Sequence, residues 1–165
     1  DYFAAYNDVD VHEIMLRDEP RMEGYLSAVK SLAKLWKEQG VAPNSKIVLD
    51  VGAGTSILSL FCARELQPFV KAVFAVEASP MAKVAETIIK ANNLDHLITV
   101  FQSAVEDVVL PEKADVIISE WMGFYLFHES MLPSVLIARN KWLKPDGLMM
   151  PSKARLWTAP IDHSG

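Results

Sequence analysis

Apolar residues along this chain recur in two periods, and the alternation between them predicts its architecture. Met22, Tyr25, Leu26, Val29, Leu32, Ala33 and Trp36 stand three and four apart, as on one helix face; Pro20 sits where a helix can begin and Gly40 where it can stop. After a loop over 41–45, the run Lys46-Ile47-Val48-Leu49-Asp50-Val51 reads as a buried strand. Residues 57–63 then predict a helix, and 70–76 a second strand closed by Glu77. Ser79-Pro80 opens a helix whose Met81, Val84, Ala85, Ile88 and Ile89 share a face, with Ser79 as its N-cap. Residues 97–101 and 116–119 predict strands three and four. A helix over about 130–142 is expected to bury Met131, Leu132, Val135, Leu136 and Trp142. Lys144-Pro145-Asp146-Gly147 reads as a turn, Leu148-Met149-Met150 as a fifth strand, and 154–159 as a sixth. Strands alternating with helices predict an α/β fold built on a doubly wound, mostly parallel sheet.

Composition narrows the class. The chain has 165 residues, 51% apolar and 22% charged, as expected of a soluble globular domain able to bury a core. Its net charge of -5 argues against broad nucleic-acid binding through phosphates, while tolerating a basic partner. The single cysteine, Cys62, rules out an internal disulfide framework and predicts a reducing compartment, cytoplasm or nucleus. No apolar run approaches the roughly 18 residues of a membrane span, and Asp8, Asp10 and Glu13 interrupt any signal peptide at the start.

In a doubly wound sheet, ligands bind beyond the carboxyl ends of the strands. Gly52 and Gly54 lie there, after the first strand, where glycine allows a tight turn and a close approach to a ligand. A dinucleotide fingerprint would need a third glycine at position 57, which is Ile57. Glu77, at the end of the second strand, can accept hydrogen bonds from two ribose hydroxyls. A glycine turn with a ribose acid suits a mononucleoside cofactor better than a dinucleotide. A second constellation follows the fourth strand. In Ser119-Glu120-Trp121-Met122-Gly123-Phe124-Tyr125-Leu126-Phe127-His128-Glu129-Ser130-Met131, two glutamates bracket an otherwise largely apolar loop. Two carboxylates in such surroundings are costly unless a cation meets them, so Glu120 and Glu129 read as a clamp for a positively charged substrate group. No cluster of Cys and His suggests a metal site, and His12 and His128 read as local hydrogen-bonding or packing residues.

Asp50-Val51-Gly52-Ala53-Gly54-Thr55 resembles the first motif of S-adenosylmethionine (AdoMet) methyltransferases. The span from Ser119-Glu120 to Glu129-Ser130-Met131-Leu132 resembles the double-glutamate loop of protein arginine methyltransferases, and the likeness extends over nearly the whole chain. Tyr2-Phe3, Tyr6, His12-Glu13, Met15-Leu16, Asp18-Glu19 and Arg21 resemble the family's N-terminal cover. Ser103-Ala104-Val105-Glu106 and Lys141 through Gly147 match later motifs in order and spacing. The resemblance implies a Rossmann-like fold in which residues 1–40 form a helical segment covering the cofactor site and 41–165 the AdoMet-binding domain. It implies that Arg21 pairs with the AdoMet carboxylate, that the turn around Asp50, Gly52 and Gly54 approaches the methionine part, and that Glu77 holds the ribose. Val105 and Glu106 would recognise adenine, while Phe3, Tyr6 and Met15 close the pocket. Glu120 and Glu129 would grip a substrate arginine, with Met122 shaping the space beside it. The products would be S-adenosylhomocysteine (AdoHcy) and methylated, most consistently asymmetrically dimethylated, arginine.

The implied partners are arginine-rich proteins such as histones or RNA-binding proteins, with no membrane or direct nucleic-acid contact. Three departures from the family qualify this expectation. Ser56 stands where the family usually has a third glycine, so its side chain is expected to crowd the cofactor or require an unusual backbone angle. Phe124 and His128 replace tyrosines often seen in the double-glutamate loop. The family continues into a β-barrel and dimerises, whereas this chain stops at Gly165, so the dimer is expected of a longer parent and not of this chain alone. The alternatives are a catalytically weak domain that binds cofactor or partner, and a methyltransferase for a small guanidino compound.

Overall fold

β1 (Lys46–Val51) lies at the centre of a five-stranded sheet and is buried over five of its six residues. A central strand covered on both faces must be apolar on both, which is why its sequence runs almost unbroken instead of alternating. The computed structural model describes residues 9–161, in which helices and strands follow one another as α1 (Val9–Leu16), α2 (Glu19–Glu38), β1, α3 (Ile57–Glu65), β2 (Val70–Glu77), α4 (Met81–Ala91), β3 (Ile98–Gln102), β4 (Ala114–Ile118), α5 (Leu132–Trp142) and β5 (Leu143–Met150). The strand order is β3-β2-β1-β4-β5 and every pairing is parallel. The chain reverses its winding between β1 and β4, and a crevice opens beyond their carboxyl ends.

Side chains alternate across β1. Ile47, Leu49 and Val51 join Phe74, Val76, Ile117, Val135 and Ala138 on the α5 face. Val48 joins Val29, Leu32, Trp36, Leu58 and Ala63 on the face covered by α2 and α3. α2 therefore shares the sheet's core. Its start is fixed by Asp18, whose side chain accepts the Arg21 amide, and Gly40 follows its end in a left-handed conformation (φ +67°).

Several sequence expectations need correction. α4 begins after Pro80, and Ser79 is not its N-cap, although the Ser79 hydroxyl accepts the Met81 amide at 3.1 Å. α5 begins at Leu132 and buries Val135 and Ala138 fully; Leu136 is exposed, because it faces away from the sheet. The expected turn at 144–147 exists as a break in register: Ala114 pairs with Leu143 but Val116 with Leu148, so four residues loop out opposite Asp115. Asp115 holds that loop, accepting Lys144 Nζ at 2.8 Å as well as Lys46 Nζ at 3.3 Å and the Ile47 amide at 2.9 Å. Burial pushes its carboxyl up, but those hydrogen bonds together outweigh it and leave it below the usual range. The sixth strand does not form. Residues 154–159 are exposed and carry no regular structure, since Pro151 interrupts the ladder just past β5. Among the described residues no helix is long and apolar enough to cross a membrane.

Candidate active site

A cavity of about 580 Å³ occupies the crevice at the carboxyl ends of the strands. Its floor is the turn after β1, where Gly52 and Ala53 donate their amides to the Val76 carbonyl at 2.9 and 3.1 Å. Gly52 has φ +69° and Gly54 φ +53°. A Cβ on Gly52 would overlap the methyl at the end of the Met131 side chain, which would have to move aside. Glu77 stands at the end of β2 with its carboxylate fixed by two amides, those of Gly54 and Ser79, each at 2.8 Å. A carboxylate offers about four acceptor sites, so two remain for hydroxyls in the cavity. Val105 and Glu106 line the side after β3, and Ser134 on α5 donates to Glu106 at 2.6 Å, tying that helix across the opening.

The acidic end is formed by the loop after β4. Glu120 accepts Arg21 Nη1 at 3.2 Å through Oε2 and the Met122 amide at 3.1 Å through Oε1. Burial raises the Glu120 pKa, and the Arg21 charge and the Met122 amide oppose it, while the charge of Glu129 adds to the rise. Glu129 lines the same cavity and, among the described residues, its carboxylate accepts no hydrogen bond. Gly123 makes room for it, since a Cβ there would strike the Glu129 side chain and backbone. Tyr125, Leu126 and Ser130 hold φ of 50°, 68° and 53°. Each costs about 1 kcal/mol or more for a residue with a Cβ, strain concentrated at the mouth of a site. Tyr25 anchors the corner from α2, donating to the Ser119 carbonyl at 2.9 Å; burial first, then the charges of Glu120 and Asp50, keeps its phenol protonated.

The structure thus gathers Met15, Arg21, Gly52, Gly54, Glu77, Val105, Glu106, Glu120 and Glu129 around one cavity. Two expected residues are placed elsewhere. Asp50 lies beneath the turn, 1% exposed, its carboxylate accepting the Ser59 amide at 3.0 Å and the Ser59 hydroxyl at 2.7 Å. It braces the start of α3 instead of touching a ligand. Met122 contributes its backbone amide to Glu120, while its side chain packs on the Val51 face of the core. Phe3 and Tyr6 lie outside the described residues. Met131, Ser134 and Tyr25 were not expected in these roles, because only long-range packing brings them here. Among the described residues no group of His, Cys, Asp and Glu could hold a metal.

Ser56 does not line the cavity, so it crowds no ligand; the unusual backbone angle, in contrast, is present, at φ +64°. Its hydroxyl is wholly buried and, among the described residues, has no hydrogen-bond partner. A left-handed serine costs about 1 kcal/mol and an orphaned hydroxyl about 1–3 kcal/mol, offset by roughly 0.5–1 kcal/mol of extra chain freedom for glycine in the unfolded state. Ser56→Gly is therefore expected to raise the unfolding free energy by about 1–2 kcal/mol in denaturant titration, and Ser56→Ala by less because the backbone angle remains. Equal stability of all three proteins would sink this account.

Asp50 carries a pH signature. Burial pushes its carboxyl up to about 7, against the opposing Ser59 hydrogen bonds. A group whose folded pKa is raised gives stability that is full below its unfolded value near 4 and is lost as pH rises toward about 7. The unfolding midpoint should fall between about pH 4 and 7 and level off above that, and Asp50→Asn, which can still accept both Ser59 bonds, should flatten that fall and be the more stable protein at pH 8. A wild-type midpoint that holds or rises over this range would contradict the assignment.

The methyltransferase domain family matches residues 48–147. A probable protein arginine N-methyltransferase 6.1 of Oryza sativa subsp. indica is 52% identical over 99% of this chain, which spans 40% of that protein. Protein arginine N-methyltransferase 6 of Danio rerio is 48% identical over 98% of this chain, which spans 43% of it. Among solved structures, an open conformation of Arabidopsis thaliana protein arginine methyltransferase 10 superposes with a TM-score of 0.78 at 44% identity, covering 90% of this chain and 40% of that one. A Trypanosoma brucei PRMT1 enzyme–prozyme heterotetramer with AdoHcy gives 0.78 at 41% identity, covering 88% of this chain and 43% of that one. This chain belongs to the methyltransferase domain family, and over nearly its whole length it is similar to proteins named protein arginine N-methyltransferases.

Proposed function

We propose that this chain is the donor-binding and catalytic region of an AdoMet-dependent enzyme that methylates arginine side chains in proteins. The observation that carries the reading is that Glu120 and Glu129 line one cavity and, among the described residues, only Glu120 of the two meets a cation, beside a glycine turn and a strand-end glutamate. The residues fit the donor. Gly52 offers backbone without a side chain, Glu77 is pre-oriented for a pair of hydroxyls, and Val105 and Glu106 offer an apolar wall with a polar rim for a base. Arg21 is the cation within reach of an amino-acid carboxylate.

AdoMet supplies an electrophilic methyl group on its sulfonium. The chain's own part is to make a poor nucleophile adequate. A guanidinium remains cationic at neutral pH because its pKa exceeds about 12. Glu120 and Glu129 against two of its nitrogens draw the charge toward themselves and leave the third richer in electron density. Met122 holds Glu120 through its amide, and the strained backbone around Tyr125, Leu126 and Ser130 fixes the clamp before substrate arrives. Orientation of both reactants removes much of the entropic cost, and a carboxylate in the same cavity is available for the proton released.

Asymmetric dimethylation, arginine-rich substrates such as histones or RNA-binding proteins, self-association of the complete protein, and residence in cytoplasm or nucleus complete the proposal. Family resemblance supports the first three, and the free, buried Cys62 a reducing compartment. The test is methyl transfer from isotopically labelled AdoMet to an arginine-rich peptide, beside the same peptide with lysine for arginine and beside free guanidino metabolites. Label should enter the arginine peptide alone, and fragment ions then report the methylation pattern. Equal labelling of the lysine peptide, or preference for the free metabolites, overturns the reading.

A further inference from the structure

Arg21 stands between the two halves of the cavity and is already committed on two sides. Its Nη1 donates to Glu120 Oε2 and its Nε pairs with Asp18 Oδ2, each at 3.2 Å, while among the described residues Nη2 makes no hydrogen bond. A guanidinium carries five N–H donors in a planar fork, so two carboxylates on different edges leave donors for a third. Its position is not loosely held. Asp18 also caps the helix at Arg21, and Tyr25, one turn further along α2, fastens the same corner through the Ser119 carbonyl. Arg21 therefore pairs with Glu120, whose side chain is 12% exposed, and lines the same cavity as the turn beside which the donor's amino-acid end would lie.

We propose that Arg21 is a counter-ion shared by Glu120 and the donor's carboxylate, so that the donor and guanidinium sites are thermodynamically coupled through this one side chain. The proposal rests on the donor assignment made above. Two anions drawing on one cation weaken each other's hold. The charge of Glu120 thus lowers donor affinity, and a substrate guanidinium resting on Glu120 relieves that competition. Reciprocity then requires that bound donor strengthen the clamp for the guanidinium by the same factor. Arg21 acts here as a positioning residue for Glu120 as well as a donor contact.

Calorimetric titration with AdoHcy tests this, because the expected sign is opposite to that of structural damage. Glu120→Gln should bind AdoHcy roughly fivefold more tightly than the parent, a typical coupling factor. Affinity for methylthioadenosine, which lacks the amino-acid end, should stay level in the same variant. Glu129→Gln serves as the control for simple repulsion, since Glu129 does not touch Arg21, and should leave AdoHcy affinity within about twofold. An arginine peptide should tighten AdoHcy binding to the parent and not to Glu120→Gln. Binding of AdoHcy to the parent with no gain in Glu120→Gln, or an equal gain in Glu129→Gln or with methylthioadenosine, overturns the shared counter-ion alone. Failure of the parent to bind AdoHcy overturns the donor assignment and the coupling with it.

Discussion

Glu129→Gln and Glu120→Gln should each lower kcat/KM for an arginine peptide by roughly 10²–10³-fold, about 3–4 kcal/mol of lost transition-state stabilisation. The substitution keeps the shape of the side chain and removes the charge, so the loss measures electrostatics and not packing. The two variants should differ in the way their surroundings differ. Glu129 accepts no hydrogen bond among the described residues, and its neutralisation should leave the cavity's construction intact. Glu120 is held by Arg21 and the Met122 amide, and its amide replacement would face the Met122 N–H with either its oxygen or its own NH2. The pH profile adds an independent check. Burial raises the Glu120 pKa, so the acid limb of kcat/KM should lie above the ordinary carboxylate range and disappear in Glu120→Gln. Retention of parental kcat/KM in both variants would dissolve the clamp.

That Glu120 and Glu129 share a site was legible in the sequence because the pattern is conspicuous: two carboxylates separated by eight residues, six of them apolar (Trp121, Met122, Phe124, Tyr125, Leu126, Phe127), have few inexpensive structural purposes. The central strands were legible for the same reason in reverse, since burial on both faces leaves an unbroken apolar run. What local pattern could not supply was direction. Asp50 adjoins the glycine turn in sequence, yet alternation along β1 sends its side chain to the α3 face, where Ser59 meets it. Counting outward from Val48 and Leu49 would have shown this. Met122 misled in a different way, because its contribution is an amide and every residue but proline has one. Met131 and Ser134 carry no signal at all; their roles exist only because α5 packs on β4 and β5 and so brings its start beside the turn after β1. The edge of the sheet was harder to read than its centre. Residues 154–159 have apolar members without a neighbouring strand to accept them, and a strand pattern is stable only where another strand completes its ladder.

Gly52→Ala should be the most damaging single-methyl change in the cofactor turn, lowering the unfolding free energy by about 2–3 kcal/mol and Tm by roughly 5–10 °C. Two costs combine. At φ +69° an L-residue pays about 1–2 kcal/mol for the left-handed conformation. The new methyl also overlaps the end of Met131, which must swing away. Met131 is flexible, but it sits between Ser130 (φ 53°) and the first turn of α5, so its movement disturbs the loop that carries Glu129. AdoHcy affinity and kcat/KM should therefore fall together, unlike in Glu129→Gln, where only catalysis suffers. A double-mutant cycle separates the two costs. Met131→Ala opens space, so Gly52→Ala should cost less in that background than in the parent, while the backbone term persists in both. Strict additivity of the two substitutions would remove Met131 from the argument and leave only the dihedral. Ser56, four residues on, supplies the mirror image: the same left-handed conformation is held there by a residue with a side chain, so the change toward glycine stabilises. Opposite signs at 52 and 56 would show that backbone conformation, with the distinct contact at Met131, governs this turn.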